Sequence, residues 1–280
     1  MKIGMAVILL FIFSGKVQAR CELPQGEKLT IACTTGCDFI YRFRLNLAAI
    51  KLGLRLDIIN LQNQSSPIDS LGTIDGLLAP GGADIDPEYY LKNVSAELQN
   101  YTRQNLGLVK FTEEGRNRDP FEYDILSRYN QDEKYQHLPL LGICRGMQMM
   151  TVVQGIPLWL DIKAELGIKN RRNRMDRIFI KPEDSLMQEI YKNNDFLGFK
   201  LHHQGIRLPY YEENKSQYPN VRVSALSNDS KIGESLEYLH RPALGVQYHP
   251  EKSFSNTSFP LFRWFLTEAC EYRNSRKDTL

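Results

Sequence analysis

One cysteine lies in a pattern that is typical of an enzyme nucleophile. Cys144 follows the apolar residues 140–143, with Gly142 two positions before it and Gly146 two positions after it. The pattern glycine-x-nucleophile-x-glycine predicts a buried strand, a sharp turn that carries the nucleophile, and then a helix. Small flanking residues let the turn adopt strained backbone angles, and the N-terminus of the following helix favours the thiolate. The pattern therefore predicts nucleophilic acyl transfer at Cys144.

A histidine near the end of the chain is the predicted base for this cysteine. A cysteine nucleophile needs a base that accepts its proton and a third group that orients the base. His249 follows the strand-like residues 244–248, and Glu251 lies two positions further on. In an extended backbone these two side chains project from the same side, so we expect Glu251 to orient the imidazole. Without Cys144, a structural histidine beside an incidental glutamate would be the better interpretation.

A Pro-Gly-Gly turn supplies a third element. Gly81 and Gly82 follow the apolar residues 74–79, and glycines at a strand end expose backbone N–H groups to a ligand. One of these groups and the N–H of Arg145 are expected to form an oxyanion hole. Taken alone, this segment would be only a turn.

The elements that must position these residues alternate between strands and helices. Asp119, Pro120 and Glu122 predict a helix that begins there and runs to about residue 130. Strands and helices are further predicted at residues 29–33, 38–52, 54–59, 74–79, 177–180, 221–225, 235–239, 244–248 and 258–272. The alternation predicts an α/β fold with a mostly parallel central sheet flanked by helices. We expect residues 20–280 to form a single domain.

The N-terminus has the pattern of a cleaved secretory signal. Lys2 precedes the apolar residues 5–13, and Val17 and Ala19 offer small residues before a cleavage point. Residues 1–19 are therefore predicted to be a signal peptide, too short to anchor the mature chain in a membrane. The alternative is a buried N-terminal strand or helix. Export implies a periplasmic or secreted protein, or a lysosomal or extracellular one in a eukaryote.

Charge and cysteine content exclude several classes of protein. The net charge of +2 falls to 0 when residues 1–19 are removed, since Lys2 and Lys16 go and no acidic residue does. This leaves no electrostatic argument for nucleic acid. No Cys/His cluster has zinc-finger spacing, so neither a metal nor another cofactor is predicted. After export, four cysteines would be in an oxidising compartment and could form disulfides, but the sequence does not show which of them pair: Cys21, Cys33, Cys37 and Cys270. Cys144 would be the unpaired thiol.

Several motifs together resemble a known superfamily. Residues 142–148 (GICRGMQ), 80–87 (PGGADIDP) and 245–251 (GVQYHPE) resemble the class I glutamine amidotransferase-like superfamily, which implies a flavodoxin-like α/β fold. Residues 118–122 (RDPFE) and 202–204 (HHQ) are similar to its gamma-glutamyl hydrolase branch, peptidase C26. That branch includes gamma-glutamyl-gamma-aminobutyrate hydrolases and folate-type gamma-glutamyl hydrolases. The resemblance covers most of residues 28–270.

The resemblance implies a role for each matched residue. It makes Cys144 the nucleophile, His249 the general base and then acid, and Glu251 the orienting group. The oxyanion-hole amides would come from Arg145 and from Gly82 or its neighbour. The expected substrate-binding residues are Gly81, Gln148, which would help to hold the glutamyl group, and His203 and Gln204, which would line the pocket near its alpha-amino and alpha-carboxylate ends. A solvated turn is the alternative interpretation of residues 202–203.

The predicted function is hydrolysis of a gamma-glutamyl amide or isopeptide bond through a gamma-glutamyl thioester, with a small molecule as the only partner required. Two alternatives stay open: a glutaminase subunit that delivers ammonia to a synthase, and a non-catalytic protein of the same fold. Residues 151–156 depart from relatives, which often carry an asparagine and a glycine pair there. The sequence does not determine the leaving group or the oligomeric state, including whether the chain forms a homodimer.

Overall fold

The structure is a computed structural model that describes residues 21–168, 174–227, 230–253 and 258–277. The predicted signal peptide, residues 1–19, lies outside these ranges, so its assignment stays a prediction. Within these ranges no helix has the length and apolar character needed to cross a bilayer.

Eleven strands are found within the described residues. In chain order they are β1 Leu29–Cys33, β2 Leu56–Asn60, β3 Gly76–Ala79, β4 Leu140–Ile143, β5 Leu158–Trp159, β6 Arg174–Ile180, β7 Asp195–Lys200, β8 Gly205–Ile206, β9 Val221–Ser227, β10 Ile232–Tyr238 and β11 Ala243–Val246.

The same ranges contain ten α-helices and several short 3₁₀ turns. The helices are α1 Phe39–Leu52, α2 Pro67–Ser70, α3 Glu88–Leu91, α4 Ala96–Gln104, α5 Glu113–Gln131, α6 Arg145–Val152, α7 Ile162–Leu166, α8 Leu186–Tyr191, α9 Leu208–Glu213 and α10 Ser258–Lys277. The 3₁₀ turns are Leu61–Asn63, Leu106–Leu108, Glu133–Tyr135, Lys215–Gln217 and Pro250–Lys252.

The main sheet has the strand order β2-β1-β3-β4-β11-β10-β9-β6-β7. The five strands from β2 to β11 run parallel, and the remaining strands continue the sheet with antiparallel pairing. Parallel strands end at the same edge of a sheet, so the segments after β1, β3, β4 and β11 are brought together there. The predicted α/β class with a central sheet flanked by helices is confirmed.

Two apolar cores lie on opposite faces of this sheet. Along β1, Ala32 belongs to one core while Ile31 and Cys33 belong to the other, as the alternation of side chains in a strand requires. Apolar side chains of α5 and α6 pack into the first core, and those of α1 and α10 pack into the second. Helices on both faces explain why β3, β4 and β11 are fully buried.

The prediction that a helix begins at Asp119 is wrong. Helix α5 begins at Glu113, where the Thr112 hydroxyl accepts a hydrogen bond from the Gly115 N–H at 3.0 Å. Pro120 lies inside the helix, and its ring leaves the Arg116 carbonyl without a helical donor. Both residues are exposed, so water can satisfy that carbonyl, and the helix continues through the proline.

The cysteine pairing that the sequence left open is resolved in two disulfides. Cys21 is bonded to Cys270 and Cys33 to Cys37. Cys144 is the free cysteine of the described residues, as predicted, and it is buried.

Candidate active site

Cys144 occupies the turn between β4 and α6 with a backbone conformation that side chains rarely adopt. Its φ of 53° and ψ of −106° lie outside the normal regions for a residue with a Cβ atom. The turn is held on both sides, since the Cys144 N–H donates to the Val246 carbonyl at 2.7 Å and the Gln148 N–H donates to the Cys144 carbonyl at 3.1 Å. The nucleophile turn predicted from the sequence is therefore formed, and the strained residue is the cysteine itself.

The flanking glycines are needed for close packing of α6 against the sheet, not to relieve backbone strain in the turn. A Cβ atom on Gly146 would collide with the carbonyl of Ala79 in β3, and one on Gly142 would lie 2.5 Å from the Met150 sulfur. Neither glycine has a positive φ. The predicted reason for these glycines, freedom of the turn, is wrong: they let α6 lie directly against β3 and β4.

His249 and Glu251 meet as predicted, but by a different backbone path. The Nδ1–H of His249 donates to Oε1 of Glu251 at 2.6 Å, and both side chains are buried. The segment is not extended, because Pro250 begins the 3₁₀ turn Pro250–Lys252. The curvature of that turn, not strand alternation, brings the carboxylate to the imidazole.

The charge balance around His249 favours the imidazolium form. Burial by itself lowers the pKa of His249, but its electrostatic interaction with Cys144, followed by the hydrogen bond and charge of Glu251, raises it to about 10. His249 is thus protonated near pH 7, with the Glu251 carboxylate on its Nδ1 side. Such an imidazolium is an acid that can protonate a leaving group.

Helix α1 holds the turn that carries Glu251. The Arg44 guanidinium donates to the carbonyl oxygens of Glu251 and Ser253, each at 2.8 Å. Three residues earlier in the helix, the buried Tyr41 hydroxyl accepts the Gly81 N–H at 3.0 Å. Burial, the Glu251 carboxylate and the Cys144 thiolate raise the pKa of Tyr41 well above its usual range, so the phenol stays neutral. Neither Tyr41 nor Arg44 belongs to a motif that the sequence marks.

The Gly-Gly turn lies beside the cysteine. A Cβ atom on Gly81 would be 3.3 Å from Cε1 of His249 and 3.6 Å from Cβ of Cys144. Because the Gly81 N–H already donates to the Tyr41 hydroxyl, the N–H of the exposed Gly82 is the better candidate donor to an oxyanion. Within the described chain, neither the Gly82 N–H nor the N–H of Arg145 at the start of α6 has a hydrogen-bond acceptor.

Arg118 fixes the carbonyl side of that turn. Its guanidinium donates to the carbonyl oxygens of Pro80 at 3.2 Å and Gly81 at 3.0 Å. The same side chain forms ion pairs with Glu114 at 2.6 Å and Glu122 at 2.9 Å, so its charge is already balanced. Arg118 therefore holds the turn through these two carbonyl groups.

Glu122 is a buried centre that joins three segments of the site. It accepts a hydrogen bond from the Thr34 hydroxyl at 2.7 Å and pairs with the fully buried Arg145 side chain. Arg145 also pairs with Asp119, which accepts the Asp86 N–H at 3.0 Å. Residues 118–122, predicted as a helix start, are instead the face of α5 that positions the cysteine turn and the glycine turn.

A chain of three glutamines runs behind the nucleophile. Gln148 donates from Nε2 to the Gln204 carbonyl at 3.1 Å and to Oε1 of Gln247 at 3.2 Å. Gln247 in turn places Nε2 3.6 Å from the Cys144 sulfur. Gln247 is a site residue that the sequence motifs did not predict, although it directly follows β11 and lies two residues before His249, a spacing that could have identified it.

Gln204 presents unused hydrogen-bonding groups. It is 1% exposed, and among the described residues neither its Oε1 nor its Nε2 has a partner. Its carbonyl lies 2.9 Å from Nδ1 of His202. Burial lowers the pKa of His202 to about 4, so this ring is neutral near pH 7. Gln204 thus offers an amide donor and acceptor that are already desolvated.

His203 has no free ring nitrogen for a ligand. Its Nε2 lies 2.7 Å from Oδ1 of Asp84 and its Nδ1 lies 3.1 Å from Oδ2 of Asp161. Each ring nitrogen therefore already faces a carboxylate oxygen. The structure places His203 at the predicted pocket, where it ties the loop after β3 to the segment before α7.

Two cavities meet at the cysteine. The larger, which we call the cleft, has a volume of about 660 Å³, and its lining includes Tyr41, Gly81, Gly82, Cys144, His249 and Glu251. The smaller, which we call the side pocket, has a volume of about 240 Å³, and its lining includes Gly82, Cys144, Gln148, His203 and Gln204. All the predicted site residues except the buried Arg145 side chain therefore line one cavity or both. The described chain contains no cluster of three or more His, Cys, Asp or Glu side chains suited to a metal ion.

Comparison with known proteins relates the chain to one family. The peptidase C26 family profile matches residues 45–251. The chain is 28% identical to protein NtpR of Enterococcus hirae over 228 residues, 78% of this chain and 83% of that protein. It is 26% identical to the gamma-glutamyl-gamma-aminobutyrate hydrolase PuuD of Escherichia coli over 159 residues, 52% of this chain and 59% of that enzyme.

Solved structures show the same fold. A GMP synthase subunit from Thermoplasma acidophilum has a TM-score of 0.57 at 17% identity, covering 90% of this chain and 98% of that one. A glutamine amidotransferase from Thermotoga maritima has a TM-score of 0.52 at 14% identity, covering 89% and 86% of the two chains. At these identities the likeness concerns the fold alone.

Proposed function

The chain belongs to the peptidase C26 family and has a hydrolase or glutaminase-type function, and from this premise we propose that it is a cysteine-dependent gamma-glutamyl hydrolase with a Cys144–His249–Glu251 triad. The observation that carries the proposal is that Cys144 faces both cavities while its predicted acid, His249, lines only the cleft. This arrangement suits a hydrolase, because the acyl group and the leaving group extend in different directions from the carbonyl carbon that the nucleophile attacks.

In the proposed reaction, the Cys144 thiolate attacks the gamma-carbonyl carbon and forms a C–S bond. Negative charge develops on the carbonyl oxygen, where the N–H groups of Gly82 and Arg145 can stabilise it. The C–N bond then breaks as the His249 imidazolium gives its proton to the leaving nitrogen. The products of this half-reaction are a free amine and a gamma-glutamyl thioester, with His249 now neutral.

The second half-reaction regenerates the enzyme. Neutral His249 takes a proton from water as the water oxygen attacks the thioester carbon. The C–S bond breaks, glutamate leaves, and the thiolate and imidazolium are restored. Glu251 keeps the ring in the orientation that both steps need. No step in this scheme uses a metal or an organic cofactor.

The side pocket suits the acyl half of such a substrate. The unpartnered amide atoms of Gln204 lie at its wall, and Gln148 lines it one helical turn from the nucleophile. We assign Gly81 to the cleft side of the glycine turn rather than to the acyl group. Export after cleavage of residues 1–19, and a small molecule as the sole required partner, remain part of the proposal.

The proposal is tested by measuring glutamate release from a panel of gamma-glutamyl amides, gamma-glutamyl peptides and glutamine. Wild type should release glutamate from one class, and Cys144→Ala should release essentially none. Trapping with hydroxylamine should yield the gamma-glutamyl hydroxamate in wild type only, which reports the thioester.

Two outcomes would overturn the proposal. Turnover of glutamine alone, stimulated by an ATP-dependent synthase, would indicate the ammonia-delivering glutaminase. An unaltered rate in Cys144→Ala, or no turnover of any compound by wild type, would indicate a protein of this fold that does not use the triad.

A further inference from the structure

The position of His249 assigns each half of the substrate to one cavity, and this step rests on the proposed function. The acid that protonates the leaving nitrogen must be next to it. His249 lines the cleft and not the side pocket, whereas Gln148 and Gln204 line the side pocket and not the cleft. The leaving group therefore lies in the cleft and the acyl group in the side pocket.

An exposed cation lies at the wall of the side pocket. Lys110 lines it, is exposed, and forms no ion pair with the described residues. Asp84 is also at this wall, but its Oδ1 faces His203 at 2.7 Å and its Oδ2 accepts the backbone N–H of Lys110 at 2.8 Å. Lys110 is therefore the charged side chain at this wall that remains without an ion pair to the described residues, and as a cation it can attract an anion.

The cleft contains a second cation of this kind. Lys252 follows Glu251 directly, lines the cleft, and is exposed without an ion pair in the described chain. The other charged side chains at this wall are balanced: Glu114 by Arg118, and Glu251 by His249. Asp38 is the exception, since its carboxylate also lines the cleft with no ion pair to the described residues.

We propose that Lys110 and Lys252 each bind one carboxylate of the substrate, on opposite sides of the scissile bond. The substrate class is therefore gamma-glutamyl amino acids. Lys110 pairs with the alpha-carboxylate of the glutamyl group, and Lys252 pairs with the carboxylate of the leaving amino acid. Asp38 repels a second carboxylate in the leaving group, so the cleft disfavours an acidic amino acid or a polyglutamate tail. Ammonia and simple amines leave Lys252 unused.

The test compares two substrates that differ only in the leaving-group carboxylate, gamma-glutamyl-alanine and gamma-glutamyl-ethylamide. The readout is the ratio of the two kcat/KM values, measured in each variant and compared with the wild-type ratio. The difference in chemical reactivity between the two substrates is the same in every variant, so it does not affect this comparison. Lys252→Met should lower the ratio about fivefold, the upper end for an ion pair that stays in contact with water, and Lys252→Arg should restore it. In wild type the ratio should fall as salt is added, because salt screens exposed charges.

The experiment also includes variants of Lys110 and of a lysine far from the site, which serves as a control. Lys110→Met should lower kcat/KM for both substrates by a similar factor, about fivefold, and leave their ratio unchanged, with rescue by Lys110→Arg. Lys28, exposed at the opposite end of β1, serves as the matched control, and Lys28→Met should change neither value. Gamma-glutamyl-glutamine should be a better substrate than gamma-glutamyl-glutamate, from which it differs by one charge, because of Asp38.

The outcomes separate this inference from the proposed function. If wild type releases glutamate from both substrates and Lys252→Met keeps the wild-type ratio, the assignment of Lys252 is wrong while the hydrolase stands. If Lys110→Met changes the ratio instead, the two cavities have been assigned to the wrong halves. If wild type releases glutamate from neither compound, the proposed function itself fails.

Discussion

His249 and Glu251 are in contact because a proline turn and a distant arginine bend the chain between them. Nδ1 of His249 lies 2.6 Å from Oε1 of Glu251, across the 3₁₀ turn that Pro250 begins. Arg44, 207 residues earlier, donates to the Glu251 carbonyl at 2.8 Å and so fixes the turn. The orientation of the predicted base is thus determined from the first helix of the fold as well as from its own segment.

Replacing the two outer members of the triad should have unequal effects. Cys144→Ala removes the atom that forms the thioester, so nearly all turnover should be lost. Glu251→Gln keeps the shape of the side chain and removes only its charge, so we expect its loss in kcat to be roughly one to two orders of magnitude smaller. Steady-state glutamate release measures both, and Glu183→Gln, at an exposed position, is the matched control. Equal losses would show that Glu251 does more than orient the ring.

The stability of the protein should decline in mildly alkaline solution because of His249. The cysteine thiolate and Glu251 overcome the effect of burial and raise the pKa of His249 to about 10, above the value of about 6.5 in an unfolded chain. A raised pKa means that the folded state holds the proton more tightly. The stabilisation is therefore complete below pH ~6.5 and is lost as the pH rises towards 10.

Urea unfolding across this pH range checks the prediction. The free energy of unfolding should fall more steeply with pH in wild type than in His249→Gln. Parallel curves for the two proteins would show that the imidazolium–thiolate pair does not stabilise the fold.

Thr34 should affect catalysis without touching the substrate. Its buried hydroxyl donates to Glu122 at 2.7 Å, and Glu122 holds both Arg145 and Arg118. Thr34→Val keeps the shape and removes the donor, which should cost about 1.5–3 kcal/mol of stability for a bond to a charged group. Because the cysteine and glycine turns are then less well held, kcat should fall several-fold while KM changes little.

The control for this experiment is Thr73→Val. Thr73 is exposed, and its hydroxyl donates to the Ser70 carbonyl at 2.9 Å. A Thr34→Val protein that is less stable but has the wild-type kcat would limit Glu122 to a structural role.

Local patterns in the sequence were sufficient for the parts of the site that are local. The turn at Cys144 and the contact of His249 with Glu251 are each indicated by fewer than ten consecutive residues, and both were predicted, although distant residues also hold them in place. The extended backbone assumed for the contact was wrong, since Pro250 starts a turn. Tyr41 and Arg44 could not be predicted, because they reach the site only when α1 packs beside the sheet.

The start of α5 shows how a strong local signal can mislead. Asp119 and Pro120 resemble a helix start, but Thr112 followed by two glutamates offered a better cap seven residues earlier. An interior proline costs about 3 kcal/mol. Asp119 and Glu122 on one face of this helix form buried ion pairs with Arg145 of α6, and these two pairs cannot be predicted from the α5 sequence alone.

The two disulfides should differ in their contribution to stability. The bond between Cys21 and Cys270 closes a separation of 249 residues, and that between Cys33 and Cys37 closes one of four. Chain entropy predicts about 5 kcal/mol for the first and about 2 kcal/mol for the second. Urea unfolding of the two double-alanine variants measures the difference, and the comparison is matched because each bond contains a fully buried cysteine. A larger loss on removing the short bond would contradict this order.

Gly146 should tolerate no side chain, since the smallest addition would strike another strand. A Cβ atom there would overlap the carbonyl of Ala79 and lie 2.6 Å from its carbon atom. To relieve this, α6 must move away from β3, which shifts Cys144 relative to Gly81. Gly146→Ala should therefore lower stability by about 1–3 kcal/mol or more and reduce kcat by a larger factor than the remaining folded fraction explains. Gly107 has open space around its Cα atom, so Gly107→Ala should match wild type in urea unfolding and in kcat. A Gly146→Ala protein with normal kcat would mean that the nucleophile turn does not depend on close contact between α6 and β3.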